Sequence, residues 1–215
     1  MPTAFARFDA HCRNYFRDWH LINEALYDLC ARYPGHSQLG QILAKVLIIG
    51  RSYNTGLERR MKSSGGMGEG IAKVGRHIYE HRGEVDGIFE RLRTIAEPLS
   101  VEELGAIIAE HGRFHRLLRE VTRNHGPVRS FASKYMHFHC PAVPIYDSVS
   151  SAQLRKFVRW RDDLMVFGRI PEADPSYHWH VARFWKLYGD LMGAGKPVTA
   201  RLVDVFLLWE REAGS

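Results

Sequence analysis

Apolar residues recur at helical spacing along almost the whole chain, and this period limits what it can fold into. Residues 4–33 carry Phe5, Phe8, Tyr15, Phe16, Ile22, Leu26 and Leu29 near that period, until Pro34-Gly35 stops the run. A second, more apolar helix is predicted from Leu39 to Ile49, interrupted by SYNTG at 52–56, and SSGGMGEG at 63–70 reads as a flexible loop. Ser100-x-x-Glu103 is a capping box opening a helix over Leu104, Ile107 and Ile108, and helical pattern continues to about Asn124. Asp147-Ser148 looks like a helix start before Leu154 and Phe157, residues 177–192 form an aromatic-rich helix, and a last helix runs from about Thr199 to Arg211. Period-2 alternation is nearly absent. Its one extended piece, Ala142-Val143-Pro144-Ile145, holds a proline that bars it from a central strand. The spacing therefore predicts an all-α fold of about ten helices, without internal repeats.

Composition removes several classes. The 215 residues suffice for one compact unit or two small lobes. Thirty Lys and Arg against 24 Asp and Glu leave a formal charge of +6, which suits a polyanionic partner without requiring one. No apolar run reaches the roughly 18–20 residues of a membrane span. The N-terminal residues lack the apolar core of a secretion signal. The expectation is a cytoplasmic protein with no membrane partner. Cys12, Cys30 and Cys140 are too few and too scattered for a disulfide framework or a four-thiolate cluster. Imidazoles occur as His137-Phe138-His139-Cys140 and His178-Trp179-His180, ligand types that suit zinc. On a helix, however, positions i and i+2 diverge by about 200°, so no metal and no cofactor is assigned. The glycines at 65–70 lack the Lys-Ser/Thr of a phosphate-binding loop.

The most informative stretch is 125–149, HGPVRSFASKYMHFHCPAVPIYDSV. It reads as a helix end, a tight turn at Gly126-Pro127-Val128, a second helix, a proline-bracketed loop and an aspartate at a helix start. Gly126 allows a sharp turn, and Pro127 does not belong in a helix interior. The backbone N–H groups of Val128, Arg129 and Ser130 then sit at a helix mouth, a natural phosphate seat with Arg129 as an added cation. An ordinary connection between two helices accounts for the same turn residues. Asp147 serves equally as a helix N-cap. Yet a helix of roughly ten residues plus a loop brings Asp147 back beside the turn. A carboxylate near a bound phosphate backbone is unfavourable unless chemistry needs it.

This stretch resembles the core of the helix-hairpin-helix DNA glycosylase superfamily. The residues that carry the resemblance are Gly126, Arg129-Ser130, Ala132 and Pro144-Ile145-Tyr146-Asp147, about 25 residues in all. A looser echo at Ser52-Tyr53-Asn54 is similar to the Asn-containing loop that enters the duplex in the 8-oxoguanine type. The hairpin departs from the family's G-V/I-G, reading G-P-V. Ser130 stands where bifunctional members carry lysine, as in the adenine-specific type, and Lys134 follows one helical turn later on the same face. A solvated surface lysine is the plain alternative for Lys134.

The resemblance implies a two-lobed helical fold, with residues 34–125 as one lobe and residues 1–33 plus 126–215 as the other. It implies a monomer acting on double-stranded DNA that bears a damaged or modified base. Breaking an N-glycosidic bond develops positive charge on the deoxyribose, which a carboxylate stabilises. Asp147 is the candidate for that role, with Ser130 beside it. Lys134 is the candidate amine that adds AP-lyase activity through a Schiff base. The target base must leave the stack while a side chain fills the gap. Tyr53 and Asn54 are the wedge candidates, and Lys45, Arg51, Arg59 and Arg60 are candidate phosphate contacts. Gly126, Val128 and Arg129 complete the DNA-facing set. The implied C-terminal helix at the active site makes Phe206 and Trp209 candidate pocket walls, although both also suit a core, and His139 either sits near the pocket or simply ends its helix. A purine lesion such as 8-oxoguanine is the first substrate expectation. The rival reading is a non-catalytic helix-hairpin-helix DNA-binding module.

Overall fold

Local signals decide where the helices begin. Ser100 accepts a hydrogen bond from the Glu103 N–H at 3.2 Å, while the Glu103 carboxylate accepts one from the Ser100 N–H at 2.7 Å. Both halves of the predicted capping box are thus formed, satisfying N–H groups that a helix start leaves over. In a computed structural model describing residues 2–18, 20–53, 55–61, 68–159 and 165–213, the described residues form helices and no strand. The helices are α1 (Pro2–Asp18), α2 (His20–Arg32), α3 (Leu39–Ser52), α4 (Leu57–Arg60), α5 (Glu69–Glu80), α6 (Arg82–Leu92), α7 (Val101–Arg119), α8 (Arg129–His139), α9 (Ser148–Phe157), α10 (Pro175–Gly193) and α11 (Ala200–Ala213). A single-turn 3₁₀ segment, Arg123–His125, precedes α8. The all-α expectation holds. The first apolar run is two helices rather than one, and most of the expected 63–70 loop lies outside the described residues.

Helix α8 organises the rest. Residues from Phe131 through Phe138 are all buried, so it is enclosed on every side. It packs against α2, α3 and α7, while α9 packs against α10 and α11, and α11 against α1. Tyr135 and His137, polar residues in the middle of α8, meet the cost of that burial with partners. Tyr135 donates to His36 Nε2 at 3.0 Å. Tyr27 donates to His137 Nε2, whose Nδ1 donates to the Val143 carbonyl at 2.8 Å.

One close approach couples this scaffold to the site. A Cβ built on Gly112, within α7, would lie 1.9 Å from the Glu172 carbonyl oxygen. No other residue fits there. The contact seats the chain just before Asp174, the N-cap of α10, whose carboxylate receives the Arg129 guanidinium. No described helix is long and apolar enough to cross a membrane.

Candidate functional site

Three successive backbone groups hold the segment before Asp147. Tyr177 donates to the Pro144 carbonyl at 2.9 Å, and His180 Nε2 donates to the Ile145 carbonyl at 2.8 Å. The Tyr146 N–H donates to Ser133 Oγ at 3.0 Å. The loop is therefore clamped between α8 and α10, and it delivers Asp147 to the start of α9. One carboxylate oxygen accepts the Ser150 N–H at 2.8 Å. The other lies 3.5 Å from Lys134 Nζ. Lys134 is nearly buried, donates to the Tyr53 carbonyl at 3.3 Å, and sits 5.6 Å from the Tyr53 ring centre. Burial pulls the Asp147 carboxyl upward, but the Lys134 charge and the Ser150 donors outweigh it and hold the group below its ordinary value. Asp147 thus remains an anion in a partly dry site.

The pair opens on a cleft of about 430 Å³ whose lining includes Arg59, Arg60, Arg129, Ser130, Lys134 and Asp147. Tyr53 and Val149 also border a second cavity of about 550 Å³, where Asn23, Arg201 and Trp209 stand. The second cavity is backed by a buried pair that sequence reasoning missed. Arg201 donates to Asp204 at 3.1 Å and to the Asn23 side-chain oxygen at 3.0 Å. Burial pushes the Asp204 carboxyl up to about 6; Arg201 opposes the rise and the Asp147 charge adds to it. Two charges three positions apart inside the apolar run of α11 were the available signal.

The hairpin departs from its expected form. Gly126 has φ −62°, which any residue adopts, whereas the left-handed positions are Asn124 at φ 51° and His125 at φ 49°. Asn tolerates that conformation through its short polar side chain. The reversal is therefore made before Gly126, held by Thr122 Oγ1 donating to the Arg119 carbonyl at 2.8 Å. The Val128 N–H is not a free phosphate donor, because it is bound to His115 Nε2 at 3.2 Å. Arg129 faces the cleft but is anchored on Asp174.

Other candidates fall elsewhere. Lys45 is fully buried, donating to the carbonyls of Tyr33 and Gly35 at 3.0 and 3.3 Å, so it does not reach a phosphate. Burial lowers its amine to about 8. Arg51 is exposed and paired with Glu58 at 2.9 Å. Tyr53 is a wall and not a free wedge: its hydroxyl is bound to the Asn23 side chain and its ring packs on Phe138. Asn54 lies outside the described residues. Phe206 is core, wedged between Phe8 and Phe157, while Trp209 borders the second cavity. Positions three apart on a helix point about 60° apart, enough to separate core from cavity. The His139 ring packs at a tilt against Phe89 and Tyr135, away from the cleft. The two His-x-His segments do not converge. Cys140 Sγ donates to the Leu92 carbonyl, and His180 is engaged by Ser151 and Ile145.

Comparison of the chain with protein-family models, curated proteins and solved structures finds no match.

Proposed function

We propose that this cleft is the active site of a DNA glycosylase that removes a damaged or modified base from double-stranded DNA. The observation that carries the reading is the Asp147 carboxylate, held 3.5 Å from Lys134 where two cavities share a wall. In this reading the everted nucleotide places its sugar at Asp147 and its base in the second cavity, against Trp209 and within reach of Arg201. As the C1′–N bond breaks, its electron pair leaves with the base and positive charge grows on the sugar ring. The nearby anion stabilises that charge. Water then adds at C1′ and gives its proton to Asp147, leaving an abasic site. With Lys134 as nucleophile, the ammonium first passes a proton to Asp147 and the free amine bonds C1′ as the base departs. Loss of the second nitrogen proton and opening of the C1′–O4′ bond, with O4′ taking a proton, give an imine that supports strand cleavage. The fold is read as a two-lobed helix-hairpin-helix architecture, with the anchored Arg129 and the exposed Arg59 and Arg60 facing the phosphate backbone.

The test is incubation with duplexes that each carry one altered base, followed by hot alkali to cut at abasic sites. A purine lesion such as 8-oxoguanine is expected to be released. Borohydride is expected to trap a covalent adduct that Lys134→Ala abolishes; trapping that survives this change removes the lysine from the mechanism. Tight duplex binding with no base lost from any substrate would overturn the reading in favour of a DNA-binding module.

A further inference from the structure

A second cluster of ligating groups lies outside the cleft, where α5 and α7 end side by side. His77 and His81 are four positions apart, so they share one helix face, and their ring centres are 4.3 Å apart. Glu120, the C-cap of α7, brings a carboxylate oxygen to 3.5 Å from His77 Nε2. One ligand atom from each of the three residues falls within 4.8 Å of the others. The Leu117 carbonyl oxygen lies 3.0 Å from the same His77 nitrogen.

The separations around His77 Nε2 approach those of atoms sharing one ion, and the wider ones, within 4.8 Å, close by less than about 2 Å when an ion binds. With metal–ligand bonds of about 2.0–2.1 Å, neighbouring ligands of a tetrahedral zinc stand about 3.3 Å apart. The 3.0 and 3.5 Å distances around His77 Nε2 bracket that value. The outer support is also present. His81 Nδ1 donates to the His77 carbonyl at 2.9 Å, which fixes its tautomer and leaves Nε2 as the ligand atom. His77 would bind as its Nδ1–H tautomer, exchanging its bond to the Leu117 carbonyl for a metal bond. Two neutral imidazoles and one carboxylate leave one positive charge on a bound divalent ion. The carbonyl ends of two helices point at that charge, and their dipoles favour it.

We propose that His77, His81 and Glu120, with the Leu117 carbonyl as a fourth ligand, form a Zn²⁺ site that ties the end of α5 to the end of α7. The nitrogen and oxygen donor set suits zinc over the hard alkaline-earth ions. Glu120 precedes Thr122, which bridges to Met61 and holds the hairpin turn through its hydroxyl. A bound ion therefore stiffens the base of the hairpin without entering the cleft. The site stands independently of the glycosylase reading.

The test uses the untagged full chain, stripped with chelator and titrated with Co²⁺ as a spectroscopic substitute and with Zn²⁺ in thermal unfolding. One equivalent of Co²⁺ is expected to give visible ligand-field bands, and Zn²⁺ is expected to raise Tm. Glu120→Gln, at an exposed position, and His81→Gln are each expected to weaken binding at least about tenfold while the chelated proteins keep the wild-type Tm. Absence of stoichiometric binding, or binding unchanged in both variants, would overturn the site.

Discussion

Asp147→Asn is expected to lower single-turnover base release by about 10²–10⁴-fold, while duplex affinity stays within about threefold. The substitution is selective for physical reasons. Asn is as good an N-cap as Asp, so the bond to the Ser150 N–H and the start of α9 survive. The amide oxygen keeps the cap and its NH2 group turns toward Lys134, so the ion pair is lost and the variant gives up about 1–3 kcal/mol of stability. Only the negative charge disappears, and it matters most when the sugar becomes positive. A purely capping Asp147 would give a variant with unchanged release, which is what a rate measurement at saturating protein would then record.

Acid is expected to unfold the protein cooperatively, with a midpoint between about pH 4 and pH 6. Burial lowers His36, His115 and His180 to about 4 and His137 to about 3. Unfolded histidine titrates near 6.5. The folded state therefore binds fewer protons across that window, and stability rises with pH there. The contribution is complete above about pH 6.5 and is lost as pH falls through the folded values. Together these four buried imidazoles contribute an amount comparable with the roughly 5–15 kcal/mol that holds a typical domain together. Burial raises Glu97 to about 7 and Asp204 to about 6, and these two offset part of the loss because they favour folding at lower pH. Far-UV circular dichroism against pH checks this; a native spectrum at pH 3 would contradict it.

What the residues disclosed in advance, and what they did not, follows from range. The starts of α7 and α9 depend on Ser100-x-x-Glu103 and Asp147-Ser148, contacts within one turn, and the structure has both. Lys134 was placed on the Ser130 face by helical period alone, and it reaches the cleft. Its burial against Tyr53 depends on a residue 81 positions away, which no local pattern contains. The same limit hid the capture of the Val128 N–H by His115. Apolar periodicity also does not separate a core face from a cavity face, so Phe206 and Trp209 looked equivalent until α1 and α9 were seen to cover one of them. Lys45 follows a related rule. A long stem inside an apolar helix can point inward when carbonyls wait at its end, here those of Tyr33 and Gly35. The Arg201–Asp204 pair was readable as charge within an apolar run, but its position behind the cavity was not.

The central claim is that the Asp147 charge faces a sugar made positive as its base departs, and binding of a transition-state mimic tests it most directly. A duplex containing a pyrrolidine abasic nucleotide places a cation at the ring position; the tetrahydrofuran analogue has the same shape without charge. The account predicts that the chain binds the pyrrolidine duplex about tenfold or more tightly than the neutral one, and that Asp147→Asn abolishes the difference. Equal affinity for both duplexes in the unaltered protein, or a preference that persists in Asp147→Asn, would contradict it.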